Sequence, residues 1–285
     1  MNVKRVWRHA VRHHRACTFA LALALLPGYS GSADADELKI GGTGAALGTM
    51  RLLADAFRVK NPEVRIVMVP SLGSGGGIKA VAGGAIGLAV TSRPMNENES
   101  KLGITQIEYG RTPFVFAVST KSRVTAITRG ELAGIYAGKM VKWPDGTPVR
   151  IVLRPVSDID TDIIRNISPE TRQGLTAAEK RPGVQFSVND QDAADDLEKI
   201  PGAIGPTSLA LILSEKRALR ALKLDGKEPT PGNAASGAYP YYKRLFLTTA
   251  AKRPAAVERF IAFVQSPAGR KILAGNGHWI SAGGP

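Results

Sequence analysis

The stretch of this chain best suited to chemistry is Gly73-Ser74-Gly75-Gly76-Gly77-Ile78-Lys79. It follows an apolar run at 64–69 that reads as a strand. It precedes Ile78, Val81 and a run of small residues that read as a short helix. Glycines at such a junction let the backbone approach a ligand closely. The free N–H groups of the helix start, with the Ser74 hydroxyl, then face an anion. Taken alone, the stretch reads first as a flexible turn. Two similar junctions flank it: Leu38-Lys39-Ile40 runs into Gly41-Gly42-Thr43-Gly44, and a strand at 85–90 ends in Thr91-Ser92-Arg93-Pro94. A fourth lies downstream, where a strand at 149–153 ends at Arg154. There Ser157-Asp158-Ile159-Asp160-Thr161-Asp162, ahead of Ile163-Ile164, reads as a helix N-terminus.

An oxyanion needs many short hydrogen bonds from fixed donors. Helix N-termini supply N–H groups carrying roughly half a positive charge, and a guanidinium adds a bidentate, charge-assisted pair. Thr43, Ser74, Ser92, Thr161 and Arg154 meet that specification. Competing roles stay open at this point. Arg154 could pair with Asp158 or Asp160, and Arg93 could be solvated or structural before Pro94. Asp158 and Asp160 could cap a helix, pair with Arg154 or accept a hydrogen bond from a protonated ligand. A carboxylate close to the site would favour a protonated anion over a fully ionised one.

The elements that must position these residues alternate strand and helix. A helix expected over about 48–59, from the spacing of Met50, Leu53, Ala54 and Phe57, stops at Asn61-Pro62. The resulting β-α-β-α-β order argues for an α/β fold with a parallel sheet, in which ligands sit beyond the carboxyl ends of the strands. Thr43, Ser74 and Ser92 converge at that edge. Further on, the pattern predicts strands at 114–118, 184–188, 219–224 and 245–247. It predicts helices near 128–136, 192–200, 257–264 and 267–273. Residues 166–183 and 226–238, rich in Pro and Gly, read as loops.

The first 35 residues read as a secretory signal peptide. Lys4, Arg5, Arg8, Arg12 and Arg15 precede an apolar core at 19–26, and Ala33-Asp34-Ala35 supplies small residues for cleavage before Asp36. That core is well short of the ~20 residues of a membrane span. Cleavage leaves 33 Lys+Arg against 23 Asp+Glu, a net charge of +10. It also removes Cys17, the only cysteine, and three of the four histidines, leaving His278. Cys17 lies ahead of the apolar core, not where a lipid-anchor cysteine stands. A His/Cys metal cluster and a Cys-His pair are thereby excluded, and a Ser-His-Asp triad would depend on His278 alone.

These motifs, in this order, resemble the periplasmic phosphate-binding protein of ABC phosphate importers and related type II solute-binding proteins. The likeness covers nearly all of 38–281. It rests on the Gly-Thr-Gly loop, on GSGGGIK, and on Ile86-Gly87 before Thr91-Ser92-Arg93. It continues through ELAGIYAGKMVKWPDG, Pro201-Gly202-Ala203-Ile204-Gly205, Tyr239-Pro240 and FIAFVQSPAGRKIL. The resemblance implies two α/β lobes joined by two crossing strands with a ligand cleft between them. Lobe I would hold 36–114 plus 244–285, and lobe II 115–243. Carried over by motif, the ligand-binding residues are Thr43, Gly44, Ser74, Gly75, Gly76, Ser92, Arg93 and Arg154, with Ser157, Asp158 and Thr161 following. The family's Gly-Ser-Gly-Thr after the cleft arginine is absent. Ser157 and Thr161 alone could replace its hydroxyls, with two carboxylates between them.

The resemblance therefore implies a periplasmic, monomeric binding protein, not an enzyme and without cofactor. It would capture phosphate or a related oxyanion for an ABC permease in the inner membrane. The alternative is a secreted anion-binding protein of the same fold used in sensing, secretion or surface interaction. A phosphate-ester hydrolase lacks the necessary nucleophile, base or metal set. Nucleic-acid binding finds no motif, because the basic residues are scattered; a basic surface instead steers anions.

Overall fold

The computed structural model describes residues 37–280; the expected signal peptide lies outside the described residues. The chain opens with β1 (Glu37–Gly42), α1 (Gly44–Arg58), β2 (Arg65–Met68), α2 (Gly73–Ala82) and β3 (Leu88–Thr91). β1 pairs in parallel with both β2 and β3, which gives the parallel β-α-β-α-β unit the alternation predicts. α1 starts four residues earlier than its apolar spacing indicates, because Ala45, Ala46 and Leu47 extend the buried face back to the end of β1. GSGGGIK is not a loop ahead of a helix; it forms the first turns of α2 itself. Gly77 is needed there for close packing. A Cβ on it would lie 2.9 Å from the Gly42 Cα and 3.1 Å from the Ala89 Cβ.

After α3 (Glu97–Ser100) comes β4 (Ile104–Ser119), three times the length expected from its apolar half at 114–118. Gly110, Arg111 and the polar alternation at 105–108 conceal the first half in the sequence. Next are β5 (Ala126–Ile127), α4 (Arg129–Tyr136), β6 (Arg150–Leu153), α5 (Ile159–Arg165), α6 (Pro169–Glu179), β7 (Gln185–Phe186) and α7 (Asp190–Lys199). The chain continues through β8 (Ala203–Ser208), α8 (Leu209–Ser214), β9 (Leu219–Ala221), β10 (Lys223–Leu224), α9 (Pro231–Ala235), β11 (Tyr242–Ala250), α10 (Ala255–Gln265) and α11 (Pro267–Gly275).

Two expected loops contain helices. Pro169 does not break α6; it stands in the first turn, and the Ser168 hydroxyl accepts from the Thr171 N–H as an N-cap. Gly174 lies where a Cβ would meet the Ala137 nitrogen at 2.9 Å, so it lets α6 pack against α4. Likewise Thr230 caps α9 with Pro231 in its first turn. In both places Pro read as a stop is a start.

Among the described residues, the main sheet runs β2-β1-β3-β11-β4-β8-β6-β7, with β9 beside the end of β4. β11 is antiparallel to both β3 and β4, and β4 is antiparallel to β8. β6 is parallel to β8 and β7. This is a mixed α/β fold with one large sheet. Its apolar side chains separate by position in the chain. One core joins Leu38, Ile40, Met50, Leu53, Phe57 and Tyr109 to Leu245, Leu247 and Phe260, while another gathers Phe114, Phe116, Leu132, Tyr136, Leu153 and Tyr239. The chain passes from one core to the other along β4, and returns between Tyr239 and Leu245. No helix of the described residues is long and apolar enough to cross a membrane.

Candidate functional site

The β1–α1 and β3 ends and the start of α2 come together as the strand order requires. The Ser92 N–H donates to Ser74 Oγ at 3.0 Å, and the two hydroxyl oxygens lie 3.1 Å apart. Ser92 Oγ in turn donates to Thr43 Oγ1 at 3.5 Å. Thr43 Oγ1 donates to Asp190 Oδ2 at 3.4 Å. Because Ser92 directs its hydroxyl hydrogen toward Thr43, the Ser74 hydroxyl is left to donate toward Ser92. The three hydroxyls thus form a chain polarised toward one carboxylate.

That carboxylate belongs to a buried ionic cluster. Lys243 of β11 lies with its Nζ 2.5 Å from Asp160 Oδ1 and 3.5 Å from Asp190 Oδ1, and its side chain is 1% exposed. Arg154, also buried, donates through Nη1 to the Ser187 carbonyl at 2.7 Å and through Nη2 to Asp158 Oδ2 at 2.8 Å. The same Nη2 lies 3.9 Å from Asp190 Oδ2. Arg154 Nε is enclosed with no acceptor. Burial pushes the Asp160 carboxyl up, with Asp158 and Asp190 adding to it against Lys243 and Arg154, to about 7. Burial also acts to raise Asp190. Lys243, Arg154 and the Ala45 N–H outweigh it and hold that carboxylate below its usual range. Burial alone would pull the Lys243 ammonium down, but Asp160, Asp190 and Asp158 together raise it, so it stays charged.

The expected site residues divide into two groups. Thr43, Ser74, Ser92, Arg154 and Asp158 join the hydroxyl chain or the ionic cluster. Asp158 fills two of the roles weighed for it at once: it caps α5 through the Asp160 N–H at 2.9 Å and pairs with Arg154. Gly44 starts α1 directly against α7, since a Cβ there would meet Gln191 Oε1 at 2.2 Å and Asp190 Oδ2 at 3.0 Å. Gly75 and Gly76 lie in the first turn of α2 beside Ser74. The remaining three are engaged or placed elsewhere. Arg93 forks onto Glu99 with two bonds of 2.7 Å and also holds the Pro94 carbonyl. Thr161 is buried, and its hydroxyl donates to the Pro155 and Arg154 carbonyls at 2.9 and 3.2 Å. Ser157 is exposed to solvent.

Sequence reasoning missed Lys243 and Asp190, though each left a signal. Lys243 alternates with Leu245 and Leu247, so it shares their inward face. Asp190 stands three, four and seven residues before Ala193, Ala194 and Leu197, on the buried stripe of α7. A charge on an apolar face is the informative exception. Gln191 reinforces the junction through Nε2, which donates to the Gly44 carbonyl at 3.1 Å and Glu215 at 2.9 Å. Among the described residues, no group of three or more His, Cys, Asp or Glu side chains is arranged to hold a metal ion. His278 is enclosed beside Tyr109, its Nδ1 2.9 Å from the Asn276 carbonyl, and burial pulls it down to about 4.

Known proteins share this architecture. The chain is 26% identical over 238 residues to the phosphate-binding protein PstS of Bacillus subtilis, covering 81% of this chain and 75% of that one. It is 27% identical over 278 residues to the protein SphX of Synechococcus elongatus, covering 88% and 80%. In structure it matches a putative phosphate ABC transporter substrate-binding protein with bound phosphate from Clostridium perfringens. The TM-score is 0.72 at 23% identity, covering 85% of this chain and 98% of that one. The model of the PBP superfamily domain matches residues 27–268, most of the chain, and the protein belongs to that superfamily.

Proposed function

We propose that this protein is an extracytoplasmic solute-binding protein that captures phosphate or a related oxyanion and delivers it to an ABC permease. The observation that carries the reading is the meeting of three hydroxyls from separate strand-to-helix junctions with two buried cations, Arg154 and Lys243. Hydroxyls, helix N–H groups and a guanidinium with an unsatisfied Nε–H are the donors an oxyanion requires. The names of the relatives from Bacillus subtilis and Clostridium perfringens point to the same ligand. The ligand sits in a cleft between lobe I, 36–114 plus 244–285, and lobe II, 115–243. Closure of the lobes buries it, and the permease reads the closed form. The leader at 1–35 directs the chain out of the cytoplasm, and the protein acts as a monomer.

The chain binds without catalysing. Its one histidine after the leader is enclosed away from the hydroxyl chain, with its ring nitrogen on a backbone carbonyl. Thermal unfolding in the presence of phosphate, sulfate, molybdate and tungstate tests the reading. A bound anion raises Tm by mass action, so at least one must stabilise the wild type and leave Arg154→Ala unmoved. No shift with any of them contradicts it.

A second reading, anion binding for sensing or secretion, draws on the three carboxylates Asp158, Asp160 and Asp190 beside the two cations. Cells lacking the protein separate the two. Transport predicts slowed phosphate uptake, and sensing predicts uptake unchanged.

A further inference from the structure

The Asp190 carboxylate stands among the donor types that an oxyanion requires. It lies at the start of the fifteen-residue α1, where the Ala45 N–H acts on it. The Thr43 hydroxyl donates to its Oδ2 at 3.4 Å, Lys243 Nζ approaches its Oδ1 at 3.5 Å, and Arg154 Nη2 lies 3.9 Å from Oδ2. The distances are slack for charge-assisted bonds, which run about 2.7–2.9 Å. Along the hydroxyl chain, Ser74 donates to Ser92, Ser92 to Thr43 and Thr43 alone to this carboxylate, so all three hydroxyl hydrogens are taken within the protein. Meanwhile Arg154 Nε, buried, has no acceptor at all. A seat built from a helix start, a hydroxyl, an ammonium and a guanidinium is filled loosely by a side chain from α7.

We propose that Asp190 is a built-in counter-ligand: its carboxylate occupies the oxyanion seat of the empty protein, and an incoming anion binds by displacing it. The proposal rests on the oxyanion reading of this cleft. Like charges cannot share the seat in a low-dielectric site. Asp190 therefore sets a threshold that only an anion making more or shorter bonds can exceed, in particular bonds to Arg154 Nε. The charged groups around it are Lys243 and Arg154, each of which also holds a second carboxylate, Asp160 and Asp158 respectively. In the empty protein Asp190 thus adds a third carboxylate beside two cations already paired with Asp160 and Asp158, and it does so with the protein's own chain.

The test is phosphate titration of the full-length chain and its Asp190→Asn variant, which keeps shape and removes the charge. The expected result is a Kd at least tenfold lower in Asp190→Asn, or binding in the variant where the wild type shows none. Equal or weaker binding in the variant, with the wild type binding, overturns the proposal and leaves the oxyanion reading standing. Absence of binding in both overturns the reading, and the proposal with it. If Asp190→Asn does not fold, a crystal structure of the wild type with phosphate decides. Asp190 Oδ2 beyond hydrogen-bond distance of Thr43 Oγ1 supports displacement, and Asp190 still seated overturns it.

Discussion

Lys243 Nζ lies 2.5 Å from Asp160 Oδ1, and both side chains are 1% exposed. The contact joins the returning strand β11 to the first turn of α5, two elements 83 positions apart in the chain. Breaking one side of such a pair leaves an uncompensated buried charge and costs about 3–5 kcal/mol. Lys243→Met should therefore destabilise the protein in urea unfolding by up to that amount, most at alkaline pH, where Asp160 cannot be relieved by taking up a proton. Adding Asp160→Asn should recover a large part of the loss. A Lys243→Met variant within about 1 kcal/mol of wild type at alkaline pH would show that the pair is not enclosed as described.

Asp160 gives stability a pH dependence of unusual sign for a carboxylate. Its folded pKa, about 7, stands above the ordinary value near 3.8. The folded chain therefore binds the extra proton, and acidification from pH 7 toward 4 favours folding through this group. Asp160→Asn lacks that gain. Between pH 8 and 5.5 the wild type should gain about 2 kcal/mol relative to the variant, read from urea midpoints at each pH. A constant difference between the two would assign Asp160 an ordinary, ionised state.

The hydroxyl chain predicts coupled losses. Ser74 Oγ accepts the Ser92 N–H and meets its hydroxyl. Ser74→Ala strands a half-buried N–H, at a cost of about 1–3 kcal/mol of stability. Because Ser74 then no longer aligns Ser92, anion affinity should fall tenfold or more in Ser74→Ala and in Thr43→Val. Double-variant cycles should show the effects to be less than additive. Full additivity would mean that the hydroxyls act separately.

How much of this was legible follows from where the signals lie. The first parallel unit and the meeting of its three strand-end hydroxyls, Thr43, Ser74 and Ser92, follow from local alternation and from the rule that strand ends make sites. Local signals misled where one residue type has two uses. Pro169 and Pro231 start helices after hydroxyl caps, and Gly174 and Gly77 permit close packing between elements. Lys243 and Asp190 were visible as charges on apolar faces, but their meeting depends on tertiary placement of β11 against α5 and α7. That no spacing rule supplies.

Arg93 separates motif from geometry. Motif position offers it beside Ser92 as a candidate ligand contact, whereas the structure commits its guanidinium to Glu99, whose carboxyl it holds below the usual range. Arg93→Ala should leave anion affinity within twofold of wild type. It should lower stability by no more than about 1 kcal/mol, as partly exposed pairs do. A loss of tenfold or more in affinity would return Arg93 to the site.

Calorimetric titration of phosphate into the wild type and Arg154→Ala, with folding of both checked by circular dichroism, decides whether the anion is held by the buried guanidinium. Arg154 stands at the centre of the ionic cluster, and its Nε–H has no other acceptor. Saturable heat at one site in the wild type and at least tenfold weaker binding in Arg154→Ala are expected. Equal affinities in the two proteins would contradict this and place the anion elsewhere.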